Sequence, residues 1–220
     1  MDTQKKRSMP KTVLGLVVIA LAVVGVISMV SSFASELSEK AETRSREKYS
    51  QYEEFLSVVV MNDPDTFDDI TQANKSQLIS IAIWSLIEKN PEPDKYEYVD
   101  SGILIPVKDV EKELSLIFGS DVKYKHLTVD GGEGIEFRFS ESKKGYIIPI
   151  TGITPIYIPR VLDVKERESA ITLKVGYLAS SEWTQDEKGN MTEPEPSKLM
   201  EITLSKNSDG DFFVRSVRAL

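Results

Sequence analysis

The sequence has no cysteine and a single histidine, His126. The first absence excludes disulfides, thiol nucleophiles, Cys-ligated zinc and iron–sulfur clusters, as well as lipidation at cysteine. The second leaves no histidine pair for a metal site and argues against a histidine-dependent triad. Basic residues are the minority charge: 27 Lys and Arg stand against 35 Asp and Glu, for a formal charge of −8. Nucleic acid recognition wants a basic surface, so no nucleic acid partner is expected. The GxSxG elbow, the P-loop, the GxGxxG fingerprint, HExxH and CxxC are all missing. No cofactor, metal or catalytic residue is therefore expected. What remains, 40% apolar and 28% charged residues in 220, suffices for one packed domain with an appendage.

The charge is unevenly placed. Residues 1–11 carry Lys5, Lys6, Arg7 and Lys11 against Asp2, and no ionisable side chain follows until Glu36. Residues 12–33, mainly Val, Leu, Ile, Ala and Gly, form an apolar run of 22 residues. As a helix it is about 33 Å long, enough for a bilayer core of roughly 30 Å. The basic flank orients 1–11 to the cytoplasm. The expected organisation is a cytoplasmic tail (1–11), a single transmembrane helix (12–33), a charged helical stalk (34–48) and an extracytoplasmic domain (49–220). The alternative is a signal peptide cleaved near Ala34, after Ser32-Phe33-Ala34.

Beyond the membrane the pattern is helical first and stranded later. Glu36–Met61 lacks Gly and Pro, and Tyr49, Tyr52, Phe55, Leu56 and Val59 recur at helical spacing. Ser76–Lys89 and Val107–Phe118 predict two more helices, with strands at Tyr96–Val99 and Ile103–Val107 between them. From residue 122 the period becomes two, giving strands at Tyr124–Val129, Ile135–Phe139, Tyr146–Ile150, Val161–Val164, Ala170–Leu178, Leu199–Leu204 and Phe212–Val217. Turns are expected at Asp130-Gly131-Gly132, Lys143-Lys144-Gly145, Lys188-Gly189-Asn190 and Asp209-Gly210. Ser180–Ser197 reads as a mobile hairpin loop. This order is α+β, with helices packed on a curved antiparallel sheet.

In element order and topology the chain resembles the cone-shaped nuclear transport factor 2-like domains. The combination of short tail, one membrane helix and outer domain is similar to bitopic assembly subunits of type IV secretion and conjugation machines, and to uncharacterised Gram-positive surface proteins. No motif residue carries the resemblance, which implies a fold and a cell-envelope setting but no site.

Several residue groups could bear chemistry. Asp63, Asp65, Asp68 and Asp69 could bind a hard cation, but lack the glycine and distal Glu of a calcium loop; a solvated turn with one Asp capping a helix is the simpler expectation. Asn207–Asp211 alternates oxygen side chains, but its glycine comes two places too early and no distal ligand follows, so it reads as a tight Asp-Gly hairpin. His126 has no local partner in sequence and reads as structural. Gly145–Pro159 has no charge over 15 residues and is broken by Pro149, Pro155 and Pro159. It predicts a strand running into an extended apolar connection. That connection either covers an open sheet end or offers Ile153, Ile156, Tyr157 and Ile158 to a protein partner at the cell envelope. Three functions follow in order: a non-catalytic interaction or assembly module, a small-ligand pocket lined by Trp84, Tyr146 or Trp183, and a hydrolase.

Overall fold

The computed structural model describes residues 46–90, 95–99, 102–150, 154–207 and 210–220. Two compact units divide at Lys48 and Tyr49, and only 46–48 of the first are described. Among the described residues no helix is long and apolar enough to cross a membrane; the 12–33 run lies outside them.

The unit Tyr49–Leu220 is α+β. Helix α1 (46–62) is followed by a 3-10 turn at Ile70–Gln72, helix α2 (Lys75–Lys89), strands β1 (Glu97–Val99) and β2 (Gly102–Pro106), and helix α3 (Val107–Phe118). Nine strands complete the chain: β3 (Val129–Gly132), β4 (Ile135–Ser140), β5 (Gly145–Ile148), β6 (Tyr157–Glu166), β7 (Ala170–Ala179), β8 (Thr184–Gln185), β9 (Met191–Thr192), β10 (Lys198–Lys206) and β11 (Phe212–Ala219). They form one sheet in the order β1-β2-β5-β4-β3, a second in the order β11-β10-β7-β6, and a β8–β9 ribbon. Every pairing is antiparallel. The strands are thus divided between two main sheets, where the sequence suggested one.

Helix α2 is the centre of the core. Its residues from Leu78 to Leu86 are all buried, as its broad apolar sequence requires. Asn74 caps it by accepting the Ser76 N–H at 3.1 Å, and Asn90 closes it by donating to Leu86 O at 2.7 Å. Trp84 is 1% exposed, donates Nε1–H to Gly131 O at 2.9 Å, and meets Phe137 edge-on at 5.2 Å. On α3, Val110, Leu114, Ile117 and Phe118 face inward together with Glu113. Burying Glu113 is tolerable because Ser85 Oγ donates to it at 2.6 Å and Lys89 forms an ion pair with it. The helix ends at Gly119, where φ is 76° and a Cβ would stand 2.8 Å from the Phe213 ring; both conformation and space demand glycine.

Strand β7 follows its period: Ile171, Leu173, Val175 and Tyr177 are fully buried. Register shifts at Val161/Asp163 and Thr203/Leu204 bend the second sheet.

Three expected elements moved. Residues 122–127 keep alternating burial without a ladder partner, because alternation reports which face is covered and not whether a strand lies alongside. The strand there is β3, and the turn sits at Glu133-Gly134, both at positive φ, rather than at Asp130-Gly131-Gly132. Strand β6 begins at Tyr157 and includes Pro159, four residues before the expected start. It can do so because β6 is an edge strand, where a missing N–H need cost the ladder nothing. Val161, two residues on, sends its N–H outward to Glu53 Oε1 on α1 at 2.8 Å; Pro159 shares that outward parity. The opposite edge is closed by Phe67, which exchanges backbone hydrogen bonds of 2.8 and 3.0 Å with Val217. Ser180–Ser197, expected as a mobile hairpin loop, does hold a hairpin, β8–β9, which follows a 3-10 turn.

Candidate interaction surface

The uncharged segment connects the two main sheets. It leaves the first at Ile148, passes Pro149 and Ile150, and joins the second at Tyr157. Pro149 and Pro155 have no N–H to give a ladder. The crossover is anchored instead by Ser180, whose N–H donates to Ile156 O at 3.0 Å and whose hydroxyl donates to Pro155 O.

From Tyr157 the strand period sorts the side chains. Tyr157, Pro159 and Val161 turn inward, while Ile158, Arg160 and Leu162 turn outward. Ile150 is 72% exposed, Ile156 52%, Leu162 43% and Ile158 38%. Four large aliphatic side chains thus face solvent within thirteen positions of chain, in a domain whose other aliphatics are mostly buried. Ile156 also forms one wall of a pocket of about 170 Å³ shared with Met61, Gln77, Asp130 and Glu133.

Arg160 interrupts the row and is neutralised. It pairs with Glu53 at 3.4 Å and with Glu193 of the β9–β10 connection. The Glu193 hydrogen bond, ahead of the Glu53 charge, raises the pKa of its guanidinium further. Gly176 lies opposite Arg160 in the ladder. A Cβ there would come within 2.8 Å of Pro196 Cγ, so glycine lets this connection lie flat beside Leu162.

The candidate partner residues therefore separate. Ile156 and Ile158 share the surface. Tyr157 does not: its ring packs 5.6 Å from Tyr177 and under Lys198 Nζ at 4.8 Å. Ile153 lies outside the described residues. Ile150 and Leu162 were missed. Leu162 falls in phase with Ile156 and Ile158 at a spacing of two, a signal hidden by starting the strand at Val161.

The candidate pocket residues lie elsewhere. Trp84 and Tyr146 fill the core, the latter fully buried. Trp183 follows the 3-10 turn at Ser180–Glu182, half-buried, with Nε1 shielded and unpaired among the described residues.

Two other groups acquire partners that sequence distance concealed. His126 is held between Tyr146 OH (Nδ1, 3.0 Å) and Glu111 Oε1 (Nε2, 3.2 Å), which ties β5 to α3. Burial pushes the Tyr146 phenol up to about 12. In the acidic turn, Asp63 pairs with Lys198, Asp68 with Arg218 at 2.7 Å and Asp69 with Arg215 at 2.9 Å. Asp69 also caps the 3-10 turn; hydrogen bonds from the Thr71 hydroxyl and N–H, with Arg215, lower its pKa. These carboxylates are engaged by the protein's own cations, as a structural turn requires.

No family model, curated protein or solved structure matches the chain.

Proposed function

We propose that the chain is a single-pass membrane protein whose domain outside the cytoplasm acts by binding another envelope protein, without catalysing a reaction. In this reading residues 12–33 stay embedded in the bilayer uncleaved, 34–48 form the stalk, and 49–220 are the working head, a cone-like arrangement of helices on curved antiparallel sheet. The anchor rests on the length of the apolar run and its basic flank. The binding role rests on one observation: Ile158 and Leu162 on β6, with Ile150 and Ile156 in the connection that leads into it, are exposed, beside a backbone edge already closed by Pro159 and Glu53. Exposed aliphatics gathered within one short stretch of a folded head mark an interface. With the ladder edge blocked, recognition runs through side chains and not through strand addition. Glu113, the buried acid, has a structural role against Lys89 and Ser85, which favours binding over hydrolysis.

The test uses the full-length chain in its own cells, with a photo-crosslinking residue at Ile158 and, as control, at Glu168. The expected result is one discrete protein adduct from position 158 and none from 168. Pairing the Ile156→Ser and Ile158→Ser substitutions removes roughly 2–3 kcal/mol of apolar burial at the contact, a loss of more than about tenfold in association. Both side chains are exposed, so the thermal midpoint stays put. Undiminished association by a folded double variant contradicts the proposal.

A further inference from the structure

A cavity of about 600 Å³ lies on the helical side of the head. Its walls are α1, α2, the C-terminal turn of α3 and the start of β11. Its base is apolar: Phe55 and Phe212 meet at 6.4 Å, nearly perpendicular, and Leu116 is 48% exposed. Its wall charges are Glu54, Glu88, Asp211 and Lys89. Lys89 is committed to buried Glu113, so three carboxylates face the opening against a cation already in use. Burial, opposed by the Lys89 charge, raises the Glu88 pKa, as expected of a carboxylate drawn partly out of water. Lys206 stands 5.7 Å over the Phe212 ring from outside the cavity.

We propose that this cavity binds a small organic cation, an ammonium group carrying a short aliphatic chain. The volume lies within the range of small-molecule sites. Two aromatic rings beside carboxylates that form no ion pair among the described residues supply the two forces that hold an alkylammonium, the ring quadrupole and Coulomb attraction, and they disfavour an anion. The site is remote in sequence from the apolar row, and its occupancy does not depend on the interface reading.

Butyltrimethylammonium and hexanoate are titrated separately against the full chain in lipid nanodiscs, followed by saturation-transfer NMR. The expected result is saturable binding of the ammonium and none of hexanoate. In the Glu54→Gln/Glu88→Gln variant, which truncates nothing in the core, affinity falls about tenfold or more with an unchanged melting temperature. Phe55→Leu, which keeps bulk and removes the ring, also weakens the ammonium. Absence of saturation up to about 10 mM, where even a weak site of roughly −3 kcal/mol is substantially filled, overturns the proposal. So do equal binding of hexanoate and indifference to the Gln pair.

Discussion

Above about pH 10 the head loses stability steeply and unfolds before about pH 12. Four of the phenols shielded from water carry the largest effect: Tyr52, Tyr146 and Tyr177 are 3%, 0% and 0% exposed, and Tyr124 is half-buried with its hydroxyl enclosed. Burial pushes Tyr124 and Tyr146 up to about 12. It also raises Tyr52, with the Glu166 hydrogen bond and charge adding to the effect, and Tyr177, with the charge of Asp63 adding. In the unfolded chain all four ionise near 10. Between the two values the native state holds protons that the unfolded state has released. The stability is therefore fully present below about pH 10 and is lost as pH rises toward the folded values. Each phenol contributes about 1.4 kcal/mol per pH unit in that window, so Tyr124 and Tyr146 alone remove roughly 5 kcal/mol over two units. That approaches the whole stability of an ordinary domain. Urea midpoints measured across the alkaline range should be level, then fall, and Tyr146→Phe should flatten the slope by about one proton. A midpoint unchanged to about pH 11.5 contradicts the burial of these rings.

Trp84→Ala is expected to cost about 3–5 kcal/mol. The ring lies in the middle of α2, against Phe137, and truncation opens a cavity that neighbouring side chains cannot collapse into. The hydrogen bond to Gly131 O is lost as well, leaving a buried carbonyl unpaired. Trp84→Phe retains much of the volume and loses the donor, at about 1–3 kcal/mol. For a unit of this size the alanine variant melts about 6–20 °C lower. Thermal and urea unfolding of the two variants measure the difference. An alanine variant within about 1 kcal/mol of the parent would place Trp84 on an open pocket wall, the role the sequence offered it, and not in a filled core.

Helices α2 and α3 were legible because each carries its own periodicity and punctuation: Asn90 and Pro91 after one, Gly119 after the other. Strand β7 was legible because Ile171, Leu173, Val175 and Tyr177 alternate without a break. Local pattern failed where the cause was distant. Nothing in residues 122–127 says that their alternation lacks a ladder partner. Pro159 looked like a strand breaker until β6 took an edge, a property of the sheet and not of the segment. Three of the four exposed aliphatics, Ile150, Ile156 and Ile158, fall within the uncharged run, and the last two were read from it as partner-facing; Leu162 required the register of β6. His126 found Glu111 and Tyr146 fifteen and twenty residues away, a link between α3 and β5 made by tertiary structure. The helical-side cavity was invisible for the same reason, being assembled from single residues of four elements.

The central claim is that an acidic head is tethered outside the cell by residues 12–33. Intact cells bearing the full chain are shaved with protease from outside, and their membranes are then washed with high salt and urea. The account predicts that the wash releases none of the unshaved chain, and that shaving leaves only a short membrane-bound fragment retaining Lys5 to Lys11. A head that survives external protease but is cut once the cells are opened, or a soluble chain whose first residue lies near Ser35, contradicts it.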